Sequence, residues 1–378
     1  MIELLIIIFF TLLLFHYFYF LYKVYTGLNK LSSTGTKNVQ NEFVSVIVPF
    51  RNESSNIINS YKSLTKQNFP ADNYEIIFVD DFSTDDSYLK LKNLIQSDNV
   101  KLISVPEDYS VNAHKKRAIR FGIENARGEV IVTTDADCMH NSDWLLSLLS
   151  FFDDQTGFVS GPVEFISDKS LFSRMQKLEF AGLVITGAGL IGAGSPTICN
   201  AANIAYRKKA YDEARGFTFQ MNLSSGDDEL LMQKIHKNTN YKVKFALVKD
   251  AIVKTSANNT VNEFYQQRKR WASKGLFYND KTLIIKLILI YLFYLSLPVQ
   301  LLLGIFYSPL FIIVLIISIA LKMLFEFCLL KKGTKLLFNS NTLDVFLVSE
   351  IIHIPYIIIA GISGALGNFV WKNRKISR

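Results

Sequence analysis

Long apolar runs constrain this chain before anything else. "LLIIIFFTLLLFHYFYFLY" (4–22), "LIIKLILIYLFYLSLPVQLLLGIF" (283–306) and "PLFIIVLIISIALKMLFEFCLL" (309–330) each match what a bilayer demands of a helix, about 20 apolar residues. A fourth run, "LDVFLVSEIIHIPYIIIAGISGAL" (343–366), is interrupted by Glu350, His353 and Pro355. The first run has no basic leader, is long for a secretory signal, and is not followed by a small-residue cleavage site. It reads as a retained anchor. Lys23, Lys30 and Lys37 follow it, with no acid before Glu42. Basic residues collect on the cytoplasmic side, so the stretch 40–280 is expected in the cytoplasm, beneath the cell's inner (plasma) membrane. Four full spans would carry the basic tail "WKNRKISR" to the opposite side, so the charge rule and a four-span count conflict.

Composition agrees with a mixed membrane and soluble protein. Hydrophobic residues make up 49% of the 378, and the mean hydropathy is +0.21. The net charge of +8 suits anionic lipid or an anionic substrate. No basic helix or alternation of basic and aromatic residues supports nucleic acid as a partner. Cys138, Cys199 and Cys328 are scattered, without metal-ligand spacing. That argues against a disulfide framework and for a reducing compartment.

Between the apolar runs the chain alternates strand and helix. "FVSVIVPFRNE" (43–53), "YEIIFVDD" (74–81), "KLISVP" (101–106) and "EVIVTTDAD" (129–137) read as strands. "SSNIINSYKSLTKQ" (54–67), "STDDSYLKLKNLIQ" (83–96) and "AHKKRAIRFGIENAR" (113–127) read as the helices between them. Ser54 or Ser55 and Ser83 are plausible caps. Such alternation predicts an α/β fold with a mainly parallel sheet, whose ligands bind beyond the carboxyl ends of the strands. Those ends are polar here: Arg51-Asn52-Glu53, Asp80-Asp81, and Asp135 with Asp137.

Two carboxylates one residue apart at the end of a buried strand repel each other. A hard divalent cation, Mg2+ or Mn2+, turns that repulsion into binding, with substrate phosphates as its remaining ligands. Capping of the following helix is the plainer reading of Asp135 and Asp137. Asp80 and Asp81 suit either a nucleotide contact or a helix cap. Lys115, at a helix start where the dipole disfavours it, either serves an anion or is solvated. Asp227, Asp228 and Glu229 fall in the first turn of a helix, where acids are favoured anyway; one of them also suits a general base. "TVNEFYQQRKRWASKGLFY" (260–278) has one apolar face, with residues 261, 264, 265, 271, 272, 275 and 276, and one basic face. It reads as an interfacial helix, with Gln267, Arg270 and Trp271 as the residues that would face a diphosphate. The glycine-rich stretch 178–210 is too broken to span and is expected to form a flexible lip at the membrane surface. Glu164, His140 and His236 are expected to be structural or solvent-facing.

In order and spacing, "VSVIVPFRNE", "IIFVDDFSTDDS", "HKKRAIRFGIENARGEVIVTTDADC", "NAANIAYRKKA", "SGDDELL" and "QQRKRWASKG" resemble the family 2 glycosyltransferases. The likeness is to the membrane-bound branch that includes hyaluronan, chitin, cellulose and poly-N-acetylglucosamine synthases. The resemblance implies a glycosyltransferase A-type α/β domain, mainly parallel, flanked by transmembrane helices. It implies inverting, metal-dependent sugar transfer from a nucleotide-diphospho-sugar, usually of uridine, to a lipid-linked or growing glycan acceptor. Asp135 and Asp137 match the metal-binding pair, with Asp135 also facing the donor. Pro49, Arg51, Glu53, Asp80, Asp81 and Lys115 fall in the donor-binding stretches. Asp228 matches the presumed base, and Gln267, Arg270 and Trp271 match the QxxRW motif. Asp227 stands where the family usually has Glu, and His114 where Gly is common. The chain also has fewer channel-forming segments than processive members, which opens single-sugar transfer as well as polymer synthesis.

This reading divides the chain into an anchor (1–23), a linker (24–42), a cytoplasmic catalytic domain (43–255), an interfacial helix (256–282) and a C-terminal region of two to three spans with a basic tail (283–378). Its rivals are a membrane-anchored nucleotide-sugar binding module without turnover, and a transporter whose path is marked by Glu350 and His353.

Overall fold

The computed structural model describes residues 1–35, 42–109, 114–218, 226–273, 278, 280–340, 342–366, 369–371 and 374–376. Lys37, positions 275 and 276 of the amphipathic stretch, and residues 372, 373, 377 and 378 of the basic tail lie outside them.

The first apolar run lies within α1 (Ile2–Leu28). The α/β unit follows as β1 (Val44–Phe50), α2 (Ile57–Leu64), β2 (Tyr74–Asp80), α3 (Ser87–Leu94), β3 (Val100–Ser104), α4 (His114–Glu124) and β4 (Val130–Thr133). Every residue of β1 and β2 is buried. Strands covered on both faces read as continuous apolar runs, because neither face meets water. The helices start later than the serines suggested. Asn56 and Asp86 occupy the N-cap positions of α2 and α3, without side-chain capping bonds.

The chain continues through α5 (Trp144–Leu149), β5 (Thr156–Ser160), β6 (Val163–Ile166), α6 (Leu171–Gly192), β7 (Ile204–Arg207), α7 (Lys208–Glu213), α8 (Glu229–Asn238), β8 (Lys242–Phe245), β9 (Val253–Ser256) and α9 (Val261–Ala272). The seven-stranded sheet has the order β3-β2-β1-β4-β7-β5-β8. β7 runs antiparallel to both neighbours, and the other pairings are parallel. β6 and β9 pair separately. Three further apolar helices, α10 (Lys281–Phe306), α11 (Leu310–Phe338) and α12 (Phe346–Leu366), precede a short hairpin of β10 (Phe369–Trp371) and β11 (Arg374–Ile376). With α1, the described residues contain four helices long and apolar enough to cross a membrane. The fourth run is unbroken: α12 continues through Pro355.

The glycine-rich stretch departs from expectation. Residues 171–192 are one helix, α6, not a flexible lip. A Cβ on Gly189 would lie 2.5 Å from the Val24 carbonyl oxygen, and one on Gly192 would lie 2.2 Å from that of Gly27. The glycines bring the backbones of α1 and α6 into contact, as small residues do between helices in lipid. Their cost in helix propensity, about 1 kcal/mol each, is offset by that packing. α6 also contacts β6, β8, α11 and α12, so it ties the sheet to the apolar helices.

Candidate active site

Parallel pairing of β1 with β2 and β4 puts three strand ends on one edge of the sheet. Phe50 pairs with Asp80 and Ile47 with Thr133, so Asp81 and Asp135 emerge on either side of Pro49 and Arg51. Every donor, metal or base candidate except Asp80 borders one cavity of about 1810 Å³: Pro49, Arg51, Glu53, Asp81, Lys115, Asp135, Asp137, Asp228, Gln267, Arg270 and Trp271.

Asp80 turns away. Its carboxylate accepts the Ser83 N–H at 3.2 Å, and burial raises its pKa above the usual aspartate range. Of the two, Asp81 lies on the cavity wall. Its carboxylate accepts Arg117 Nε–H at 3.0 Å. Arg51 donates to the carbonyl oxygens of Asp81 and Phe82. Its guanidinium therefore braces the end of β2. Asn52 and Phe82, which follow these residues, both have positive φ (52° and 59°). A left-handed backbone at a phenylalanine is strained, and such strain gathers where a loop must hold a site in one shape.

Lys115 sits in the first turn of α4 and bonds Asp135, with Asp227 at 3.5 Å. Burial disfavours its charge, but Asp135, Asp227 and Asp228 more than offset this and hold its pKa above the ordinary lysine range. Arg270 faces the same acids from α9. Burial lowers its pKa, against the pull of Asp227, Asp135, Asp228 and Asp137. Asp137 is exposed and Asp135 half-buried. The donor set is all oxygen, and an ammonium already rests on one member. A hard divalent ion fits Asp135 and Asp137 on that chemistry.

Asp228 is the N-cap of α8, just ahead of its first turn. One carboxylate oxygen accepts the Glu229 N–H at 2.7 Å and the other the Ala201 N–H at 3.0 Å. These bonds fix the carboxylate at the cavity wall. Glu229 accepts from the Tyr278 hydroxyl at 2.9 Å.

On α9, Gln267 accepts from Asn258 at 3.0 Å. Arg268 was read from sequence only as part of a basic face. It is 2% exposed, bonds Glu179 of α6, and lies 4.2 Å from the Trp271 ring centroid. Tyr356 of α12 reaches the same Glu179 at 3.3 Å. Arg268 and Glu179 thus hold the Gln267–Trp271 segment in place, and the signal available was an arginine spaced between aromatics Phe264 and Trp271. Of the residues expected to be structural, His140 is buried between Thr134 (2.8 Å) and Ser63 (3.1 Å), and burial pushes its pKa down to about 3. Glu164 pairs with Lys177 at 2.8 Å, and His236 is exposed.

Residues 45–215 match the model of glycosyl transferase family 2. A poly-beta-1,6-N-acetyl-D-glucosamine synthase of Staphylococcus epidermidis is 23% identical over 251 residues, 65% of this chain and 58% of that protein. A poly(ribitol-phosphate) beta-N-acetylglucosaminyltransferase of Staphylococcus aureus is 26% identical over 197 residues, 52% of this chain and 33% of that protein. The chain spans between 33% and 58% of the length of the first curated relatives it matches. Among solved structures, a mannosyltransferase of Pyrobaculum calidifontis in complex with GDP-mannose and Mn2+ superposes with a TM-score of 0.58 at 18% identity. It covers 95% of this chain and 98% of its own, and it shares the fold. On its motifs, its sheet and these matches, the chain is similar over residues 45–215 to glycosyl transferase family 2.

Proposed function

We propose that this protein is an inverting, metal-dependent glycosyltransferase that works at the membrane, with its sheet domain on the cytoplasmic side. It moves a sugar from a nucleotide-diphospho-sugar, a uridine one in the first instance, to a lipid-linked or glycan acceptor. One observation carries this reading: Asp135, Asp137 and Asp228 border one cavity, with Arg270 facing all three and Lys115 facing Asp135 and Asp228.

The chain's own residues divide the work. Asp81 and Arg51 shape the nucleotide end, where β1 and β2 finish. Asp135 and Asp137 would hold Mg2+ or Mn2+, which supplies fixed positive charge beside the donor's diphosphate. Arg270 and Lys115 add positive charge where negative charge builds as the leaving group departs. Preorganised charge of that kind is usually the largest catalytic term. Asp228 takes the proton of the acceptor hydroxyl. The freed oxygen bonds to the anomeric carbon as the bond to the diphosphate breaks on the opposite face, and nucleoside diphosphate leaves. Trp271 and Gln267 wall the cavity on the α9 side.

Two variants separate these roles. Asp228→Asn lowers turnover about 10²–10⁴-fold, the range for loss of a general base, and keeps donor binding. Asp137→Ala loses metal-dependent donor binding instead. The readouts are nucleoside diphosphate release and donor titration by calorimetry, with and without Mn2+. Wild-type turnover in Asp228→Asn removes the assignment of the base. Donor binding without any turnover in the wild type leaves the binding-module reading.

A further inference from the structure

The cavity is larger than one donor requires. Ligand sites generally run to roughly 300–1,000 Å³, against about 1810 Å³ here. The surplus runs from the aspartates past α6 and α9 to α1, α11 and α12, where Tyr17, Glu326, Glu350, His353 and Tyr356 border it. Glu326 and Glu350 are 7% and 6% exposed, on helices long and apolar enough to cross a membrane. Ionisable groups at such depth are costly, face an interior cavity, and mark a substrate path.

The charge on this wall is one-sided. Lys322 lies 2.9 Å from Glu326 and also bonds Glu350, but it is not among the residues bordering the cavity. The hydroxyl of Tyr17 donates to Glu326 from the other side. One lysine thus stands behind two carboxylates, and what faces the cavity is carboxylate oxygen, phenol and the His353 ring. The cations that border the cavity among the described residues, Arg51, Lys115, Arg268 and Arg270, belong to the end of β1, to α4 and to α9. A phosphate brought to Glu326 and Glu350 would face carboxylate oxygen with no cation beside it on the cavity wall, in a medium of low dielectric. A bare hydrocarbon chain would cover two carboxylates that share one lysine and would add no donor of its own to them. Sugar or polyol hydroxyls donate to carboxylates and pack on aromatic rings, and they satisfy both.

We propose that the acceptor is an uncharged, hydroxyl-bearing lipid whose head group is held by Glu326 and Glu350 and extends toward Asp228, and that a lipid phosphate is not the acceptor. This rests on the transferase reading above. The hydroxyl that gains the sugar gives its proton to Asp228, as in the reaction already described.

The test uses full-length protein in nanodiscs with Mn2+ and whichever of UDP-glucose, UDP-N-acetylglucosamine or GDP-mannose it hydrolyses. Decyl β-D-glucoside and decyl phosphate, matched in chain length, are compared as activators of nucleoside diphosphate release and as ligands in calorimetry. The glucoside is expected to bind and activate about tenfold better, the scale of one or two hydrogen bonds to a charged group. Glu350→Gln should weaken glucoside binding about tenfold, with Glu326→Gln as a second variant should the first not fold. Equal or better binding by decyl phosphate overturns the inference, as does failure of the glucoside to bind, or unchanged affinity in both variants. If no donor is turned over, the transferase reading fails, while the binding comparison still decides the head-group chemistry.

Discussion

At the sheet end of the cavity, Lys115 reaches across from α4 to acids on other segments: Asp135, with Asp227 nearby. At the apolar-helix end, Lys322 meets Glu326 one turn along its own helix and Glu350 on the next. Both lysines neutralise more than one carboxylate. Their surroundings differ: the Lys115 and Asp135 side chains are 16% and 33% exposed, those of Lys322 and Glu326 only 1% and 9%. Water and mobile cations can replace Lys115 and cannot easily replace Lys322. An exchangeable counter-charge suits the proposed exchange of nucleotide at that end. A locked one suits a wall that must keep its shape.

Substitution of each lysine tests that contrast. Lys322→Met strands two buried carboxylates and should cost about 3–5 kcal/mol, the scale for breaking a buried ion pair from one side. Unfolding in nanodiscs measures it, and a loss below about 1 kcal/mol, the scale of an exposed pair, would erase the difference between the two ends. Lys115→Met should cost less, roughly 1–3 kcal/mol, and Mn2+ should recover part of it by binding the folded state. Mn2+ should also bind that variant more tightly than wild type, because no ammonium competes for Asp135. Equal affinity would mean that Lys115 and the cation do not share a position. The third effect comes from acid and is spread over several pH units. His140 stays neutral in the fold down to about pH 3, whereas an unfolded histidine takes a proton near 6.5. Its contribution is complete above the unfolded value and is lost as pH falls toward the folded one, by at most about 1.4 kcal/mol per unit. Melting curves from pH 7 to 4 should slope accordingly, and His140→Gln should flatten the slope.

The sheet end was the more legible in sequence. Apolar runs closing on acids are local patterns, and the parallel order of β1, β2 and β4 then brings the acids together without further information. β7 was not legible, because a four-residue strand carries no direction of its own. Asp80 and Asp81 could not be told apart, since the choice depends on which carboxylate Ser83 takes. Arg268 and Glu179 are 89 residues apart, and nothing local pairs them. The glycines of α6 misled because single-residue propensity knows nothing of a partner helix. Lys322 and Glu326 were visible as ionisable residues in a span, but their packing against Glu350 depended on how α11 and α12 meet.

The glycine seam has a practical consequence. Because Val24 and Gly27 touch the backbone of α6, and Tyr17 helps wall the cavity, the N-terminal segment is not a leash that can be trimmed for solubility. A fragment starting after residue 30 would lose one side of the cavity and bare a strip of backbone along α6, so the sheet domain and the first apolar helix form one unit.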